Sequence, residues 1–183
     1  LFAGNFDGLG HTVKDLFINR PDDQFNGLFG YIDNSTIKNI GVVNANIQSN
    51  NIFGGVLAGG VLKSTIENAY STGILNISVD DNYWGTAAGG LVGILNNSTI
   101  NNSYSTVKTT GISKTGGLVG YLFNSSTINN SYATGEVTGT GNNIGGLVGS
   151  NTSSSVTKSF WDTQTSGQAT SAAGVGKTTA QMK

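Results

Sequence analysis

Apolar positions along this chain recur at a spacing that no helix would produce. Short Leu-Val or Ile-containing clusters of two or three residues are separated by Ser, Thr, Asn and Gly, and the same cluster returns after some 28 residues. Gly27-Leu28-Phe29-Gly30 leads to Ser35-Thr36-Ile37-Lys38-Asn39. Gly55-Val56-Leu57-Ala58-Gly59 leads to Ser64-Thr65-Ile66-Glu67-Asn68-Ala69-Tyr70. Gly89-Gly90-Leu91-Val92-Gly93 leads to Ser98-Thr99-Ile100-Asn101-Asn102-Ser103-Tyr104. Gly116-Gly117-Leu118-Val119-Gly120 leads to Ser126-Thr127-Ile128-Asn129-Asn130-Ser131-Tyr132. Gly145-Gly146-Leu147-Val148-Gly149 leads to Ser155-Val156-Thr157-Lys158-Ser159-Phe160-Trp161. The closing glycines fall at 30, 59, 93, 120 and 149, so the steps are 29, 34, 27 and 29 residues. A period in that range with strand-like clusters predicts stacked β-coils.

The chemistry of one repeat predicts its shape. Glycines around the Leu-Val pair permit positive φ and let the chain turn a corner without a Cβ clash. Thr-Ile suits a strand with the Ile pointing inward. One coil cannot bury its apolar face alone, so the fold gains stability as coils stack. The expected architecture is all-β, a parallel β-helix or β-solenoid of about five to six coils. Right-handed winding is expected from the crossover rule. Residues 1–26 are expected to form a leading coil, 27–158 the repeats, and 159–183 a capping segment.

Stacking places equivalent residues in columns. Asn39, Asn68, Asn102 and Asn130 form one, closed by Lys158, with amides able to hydrogen-bond along the stack. Tyr70, Tyr104, Tyr132 and Phe160 form an aromatic column beside it, which Gly41 excludes from the first repeat. Strict alternation from Ile66 would turn these rings inward, whereas Ile37, Ile40 and Val42 argue for a phase break that turns them outward, which is the reading adopted.

The Gly-Gly-Leu-Val-Gly unit followed by Ser-Thr-Ile-x-Asn-Ser-Tyr-(Ser/Ala)-Thr-Gly resembles the GLUG repeat. Phe6-Asp7-Gly8-Leu9-Gly10-His11-Thr12-Val13 is similar to the coil that precedes such repeats, and Ser159-Phe160-Trp161-Asp162 through Met182 to their terminator. The resemblance implies a parallel β-helix stalk or binding module of a secreted bacterial surface protein, akin to filamentous-haemagglutinin adhesins, with glycans or cell-surface proteins as partners. The second repeat departs from the pattern, with Ala58 for Val and extra residues later.

Composition narrows the function classes. Charged residues are 10% of the chain and the formal net charge is −1, so no basic face exists to attract nucleic acid. There is no cysteine for a disulfide or a thiolate metal site. No apolar stretch reaches the length of a membrane span, so direct insertion into a bilayer is not expected. The chain opens on Leu1 rather than Met, and is expected to be a piece of a larger polypeptide.

Candidate chemistry is sparse. Gly174-Val175-Gly176-Lys177-Thr178-Thr179 resembles the end of a phosphate-binding P-loop, but Ser171 stands where the first glycine belongs and no α/β context surrounds it. His11 is the single histidine and sits in a turn-like Gly-His-Thr without a nucleophile elbow. Asp22-Asp23, after Arg20-Pro21, reads as a solvated turn. The 34-residue step carries an insertion, Val79-Asp80-Asp81-Asn82-Tyr83-Trp84-Gly85. Loops carry binding disproportionately, so Asp80, Asp81, Asn82, Tyr83 and Trp84 are candidate ligand-binding residues, with Asp80 and Asp81 candidate ligands for Ca²⁺ and no other cofactor implied. Sequons such as Asn34-Ser35-Thr36 and Asn97-Ser98-Thr99 accompany the Asn- and Ser-rich turns. The expectation is a non-catalytic adhesion module or stalk. The alternative is a β-helix carbohydrate-active enzyme, which requires acids converging on one face. Ice binding fits poorly, because Thr-x-Thr spacing is not kept between repeats.

Overall fold

The computed structural model describes residues 1–50, 52–78 and 85–183, and within them every strand pairing is parallel. Three sheets form the walls of a solenoid. Sheet I stacks Phe25–Asn26, Phe53–Gly55, Ala87–Gly89, Lys114–Gly116 and Ile144–Gly145. Sheet II stacks Phe29–Asp33, Ala58–Leu62, Val92–Asn96, Val119–Phe123 and Val148–Thr152. Sheet III has 14 strands, the longest being Thr36–Ser49 and Thr65–Ile77. The only helix among the described residues is a single 3₁₀ turn, Thr179–Met182. The chain is therefore an all-β parallel solenoid of about five turns.

Register follows the repeat residue for residue. Thr65 pairs with Thr36 and Thr99, and Ile100 with Ile66 and Ile128. The isoleucines point inward as their β-branched shape favours, with Ile37, Ile66, Ile100 and Ile128 fully buried. Leu57, Leu91, Leu118 and Leu147 make a parallel column, also at 0% exposure. Each such side chain contributes about 1.5–3 kcal/mol of apolar transfer free energy, realised only when the neighbouring coil covers it.

The glycines of the repeat act differently from the expectation. None of the Gly-Gly-Leu-Val-Gly glycines has positive φ. They are required because sheets I and II fold back on each other too closely for any Cβ. A Cβ on Gly120 would lie 2.7 Å from Ala88 N and 2.8 Å from both Gly93 O and Lys114 O. The second glycine of the pair faces inward instead: a Cβ on Gly117 would lie 2.8 Å from the Ala133 Cβ, and one on Gly146 would strike the Trp161 ring. One set of left-handed corners falls on the asparagine column, with φ of 55° at Asn39, 51° at Asn68, 49° at Asn102 and Asn130, and 46° at Lys158, and a second precedes the Thr-Ile strands, at Asn34, Lys63 and Asn97. Asparagine enters this region at lower cost than other side chains, which explains its recurrence there.

The two ends are continuous with the stack. Asn5–Asp7, Thr12–Lys14 and Phe17–Asn19 pair with Thr36–Ser49, so residues 1–26 lay three strands on sheet III. Phe160–Asp162 pairs with Tyr132-Ala133 and receives Val175–Lys177 on its far side.

Candidate functional site

The outer surface of sheet III carries the residues that sequence reasoning singled out. Past the left-handed Asn the chain resumes with the aromatic residue outward and its successor inward: Ser71, Ser105 and Ala133 are fully buried, and Trp161 nearly so. The Tyr70 and Tyr104 rings stack at 5.0 Å and 6°, and those of Tyr104 and Tyr132 at 4.9 Å and 2°. That spacing is the strand separation of a parallel sheet, so the stack follows from register. Gly41 pairs with Tyr70, and a Cβ there would lie 2.3 Å from the tyrosine ring. Tyr70 thus rests one ring face on Gly41 and the other on Tyr104. Burial, then the neighbouring Tyr132 and Tyr70 hydroxyls, raise the Tyr104 phenol above its ordinary value.

Phe160 continues the column in register beneath Tyr132, yet the stack stops there. Lys177 places its ammonium 4.2 Å from the centre of the Phe160 ring, a cation–π contact. A cavity of about 360 Å³ opens at this point, lined by Tyr132, Thr134, Phe160, Lys177, Gln181 and Met182. Tyr132 is the most exposed ring of the column, at 38%.

Beside the rings run amide and hydroxyl ladders. Asn39 Nδ2 donates to Asp7 Oδ1 at 2.9 Å, Asn68 Nδ2 to Asn39 Oδ1 at 3.0 Å, and Asn130 Nδ2 to Asn102 Oδ1 at 3.3 Å. Two buried serine columns escaped sequence reasoning. The backbone N–H groups of Ser35, Ser64 and Ser98 donate to the Oγ of Ser64, Ser98 and Ser126 one coil further on, at 3.0, 3.0 and 3.2 Å. Ala69, Ser103 and Ser131 repeat the pattern with Ser103, Ser131 and Ser159. Each hydroxyl also donates to a carbonyl, as Ser103 does to Asn101 O at 2.7 Å. The signal was present as a serine before every Thr-Ile and before Tyr104, Tyr132 and Phe160, but serine in such a chain reads equally well as turn chemistry.

The remaining candidates are placed as follows. His11 is exposed, its N–H donating to Gly8 O and its carbonyl accepting from Gly41 N, beside the left-handed Leu9 and Gly10. Asp22 and Asp23 are exposed, and Asp23 pairs with Arg20 at 3.0 Å. Gly174 to Thr179 forms the strand Val175–Lys177 and the start of the 3₁₀ turn, not a loop around phosphate. Asp80, Asp81, Asn82, Tyr83 and Trp84, with the Ca²⁺ site suggested for the first two, lie outside the described residues. Among the described residues no three His, Asp or Glu side chains gather to hold a metal ion.

Buried Asp162 anchors the terminal segment. Its Oδ1 accepts the N–H groups of Gln164 and Thr165 at 2.9 and 3.2 Å, and its Oδ2 the Thr179 hydroxyl at 2.7 Å. Burial disfavours the charged form, but these hydrogen bonds outweigh it and hold the carboxyl below its ordinary value. Asp7 is also lowered, by the Asn39 amide first and the Leu9 N–H next.

A solenoid wall carrying an aromatic ladder beside hydroxyl and amide columns defines a β-solenoid repeat protein. Residues 113–138 match the GLUG motif, and the flanking coils repeat its spacing and register. The chain thus carries a GLUG motif within its run of coils. Halomucin of Haloquadratum walsbyi (strain DSM 16790 / HBSQ001) is 35% identical over 111 residues, which are 60% of this chain and 1% of that protein. The chain thus spans about 1% of the length of this curated relative. A crystal structure from Bacteroides ovatus, of a candidate immunoglobulin A1 protease, superposes with a TM-score of 0.73 over 97% of this chain and 70% of that one, at 21% identity. At that identity the likeness shows the fold alone.

Proposed function

We propose that this chain is a non-catalytic segment of an exported cell-surface protein, a rigid solenoid that meets glycans or cell-surface proteins through its outer wall or spaces a distal part from the cell. The observation that carries this reading is the aromatic ladder Tyr70–Tyr104–Tyr132, held in register on the outer face of sheet III. The GLUG motif and the similarity to a segment of Halomucin support surface placement. Three of the acids on or beside this wall are engaged within it: Asp7 with Asn39 and Lys38, Glu136 with Lys108, and Asp162 with Thr179. The insertion at Asp80–Trp84 is a second proposed contact.

A glycan-array and whole-cell binding screen tests this, run with and without Ca²⁺ on the wild type and on Trp84→Ala. Specific binding is expected. A fall in binding in Trp84→Ala, or on removing Ca²⁺, assigns the insertion a share of the contact. A cooperatively folded sample that binds nothing leaves only the spacer role, and release of soluble sugar from the array contradicts the non-catalytic reading.

A further inference from the structure

The break in the aromatic ladder is a built cavity. In the interior of the column each ring face is covered, Tyr70 by Gly41 and Tyr104, and Tyr104 by its two neighbours. Rings packed in this way offer a ligand only edges and hydroxyls. At Tyr132 the pattern changes, because Phe160 is engaged by Lys177 and not by the tyrosine above it. Tyr132, the most exposed ring of the column, therefore lines the 360 Å³ cavity. The walls are fixed by two backbone hydrogen bonds and one side-chain cap: the Lys177 carbonyl accepts Thr163 N at 2.8 Å, Val175 N donates to Ser159 O at 3.0 Å, and the Gln181 side-chain Oε1 accepts Thr178 N at 3.0 Å. The ion pairs of the described residues, Arg20–Asp23, Lys38–Asp7 and Lys108–Glu136, leave Lys177 with the Phe160 ring as its partner.

We propose that this cavity, between Tyr132 and Lys177, is a binding site for an acidic sugar residue of a surface polysaccharide. The volume lies in the range of small-ligand pockets. A pyranose ring has one apolar C–H face that suits the exposed Tyr132 ring, where the tyrosine stack ends. Its carboxylate meets the Lys177 ammonium, and its hydroxyls meet the Thr134 hydroxyl and the Gln181 amide. The assignment rests on the surface-contact reading above and names its ligand class.

The test is a calorimetric and NMR titration of the whole chain with the trisaccharide of galacturonic acid and with the neutral trisaccharide of galactose in the same linkage. Lys177→Met and Tyr132→Ala are compared with the wild type, each checked for the native unfolding transition. The wild type is expected to prefer the acid, more so at low salt. Lys177→Met should weaken the acid about tenfold and leave the neutral sugar unchanged, and Tyr132→Ala should abolish both. Lys177→Met alters only a partly exposed side chain, so it carries the test if Tyr132→Ala unfolds. Equal affinity for the two sugars, no binding of either, or an unchanged isotherm in Lys177→Met overturns the assignment. Cell binding that persists in Tyr132→Ala also overturns this pocket while leaving the surface role standing, whereas wild-type protein that binds no cell and no glycan fails the surface role itself.

Discussion

Replacing Ser103 by alanine isolates the contribution of the buried serine ladders. Its hydroxyl accepts the Ala69 N–H at 3.1 Å and donates to Asn101 O at 2.7 Å, and the residue is 1% exposed. Alanine fits the space but leaves one buried donor and one buried acceptor of adjacent coils without their partner. An unsatisfied buried polar group costs about 1–3 kcal/mol, and the site is too enclosed for solvent to replace the hydroxyl fully. A loss of about 3 kcal/mol follows, against less than about 0.5 kcal/mol for Thr140→Ala on the exposed surface. Urea unfolding should show the lowered midpoint, and hydrogen exchange should locate faster exchange at the Ala69 amide. A Ser103→Ala midpoint within error of Thr140→Ala would refute the claim that hydroxyls join the coils.

Other expectations follow from the same geometry. Gly120→Ala should destabilise more than Ser103→Ala, or prevent folding, because three backbone atoms within 2.8 Å of the new Cβ cannot move independently; thermal melts of the two variants compare them. Asn102→Gly should be tolerated in the same melts, while Asn102→Val should cost about 1–2 kcal/mol for placing a β-branched residue at φ 49°. Asp7 and Asp162 both have lowered folded-state carboxyl values, so their stabilisation is fully present above the unfolded-state value of about 3.9 and is lost as pH falls through the folded ones. Urea midpoints should therefore drop below about pH 4, and Asp162→Asn should be less stable at neutral pH and show a shallower acid slope.

Much of the fold was legible because the repeat is written in residues whose physics is unambiguous. Ile37, Ile66, Ile100 and Ile128 had to point one way, and the tyrosines had to share a register. The glycines were read for the wrong reason: backbone freedom and close approach leave the same letter in a sequence, and only the distance between sheets I and II separates them. The direction of the tyrosines depended on the corner at Asn68, Asn102 and Asn130, whose left-handed φ supplies the phase break. The cavity at Tyr132 was not legible, because it arises where Val175–Lys177, some 40 residues further along the chain, lays Lys177 over Phe160.

The most direct measurement for the account as a whole is retention of the folded chain on immobilised glycans and intact cells, with the same wells assayed for released sugar after prolonged incubation. The account predicts retention that Tyr132→Ala diminishes, with nothing released. Sugar release that scales with protein concentration would contradict it, and so would retention indifferent to every substitution on the outer wall.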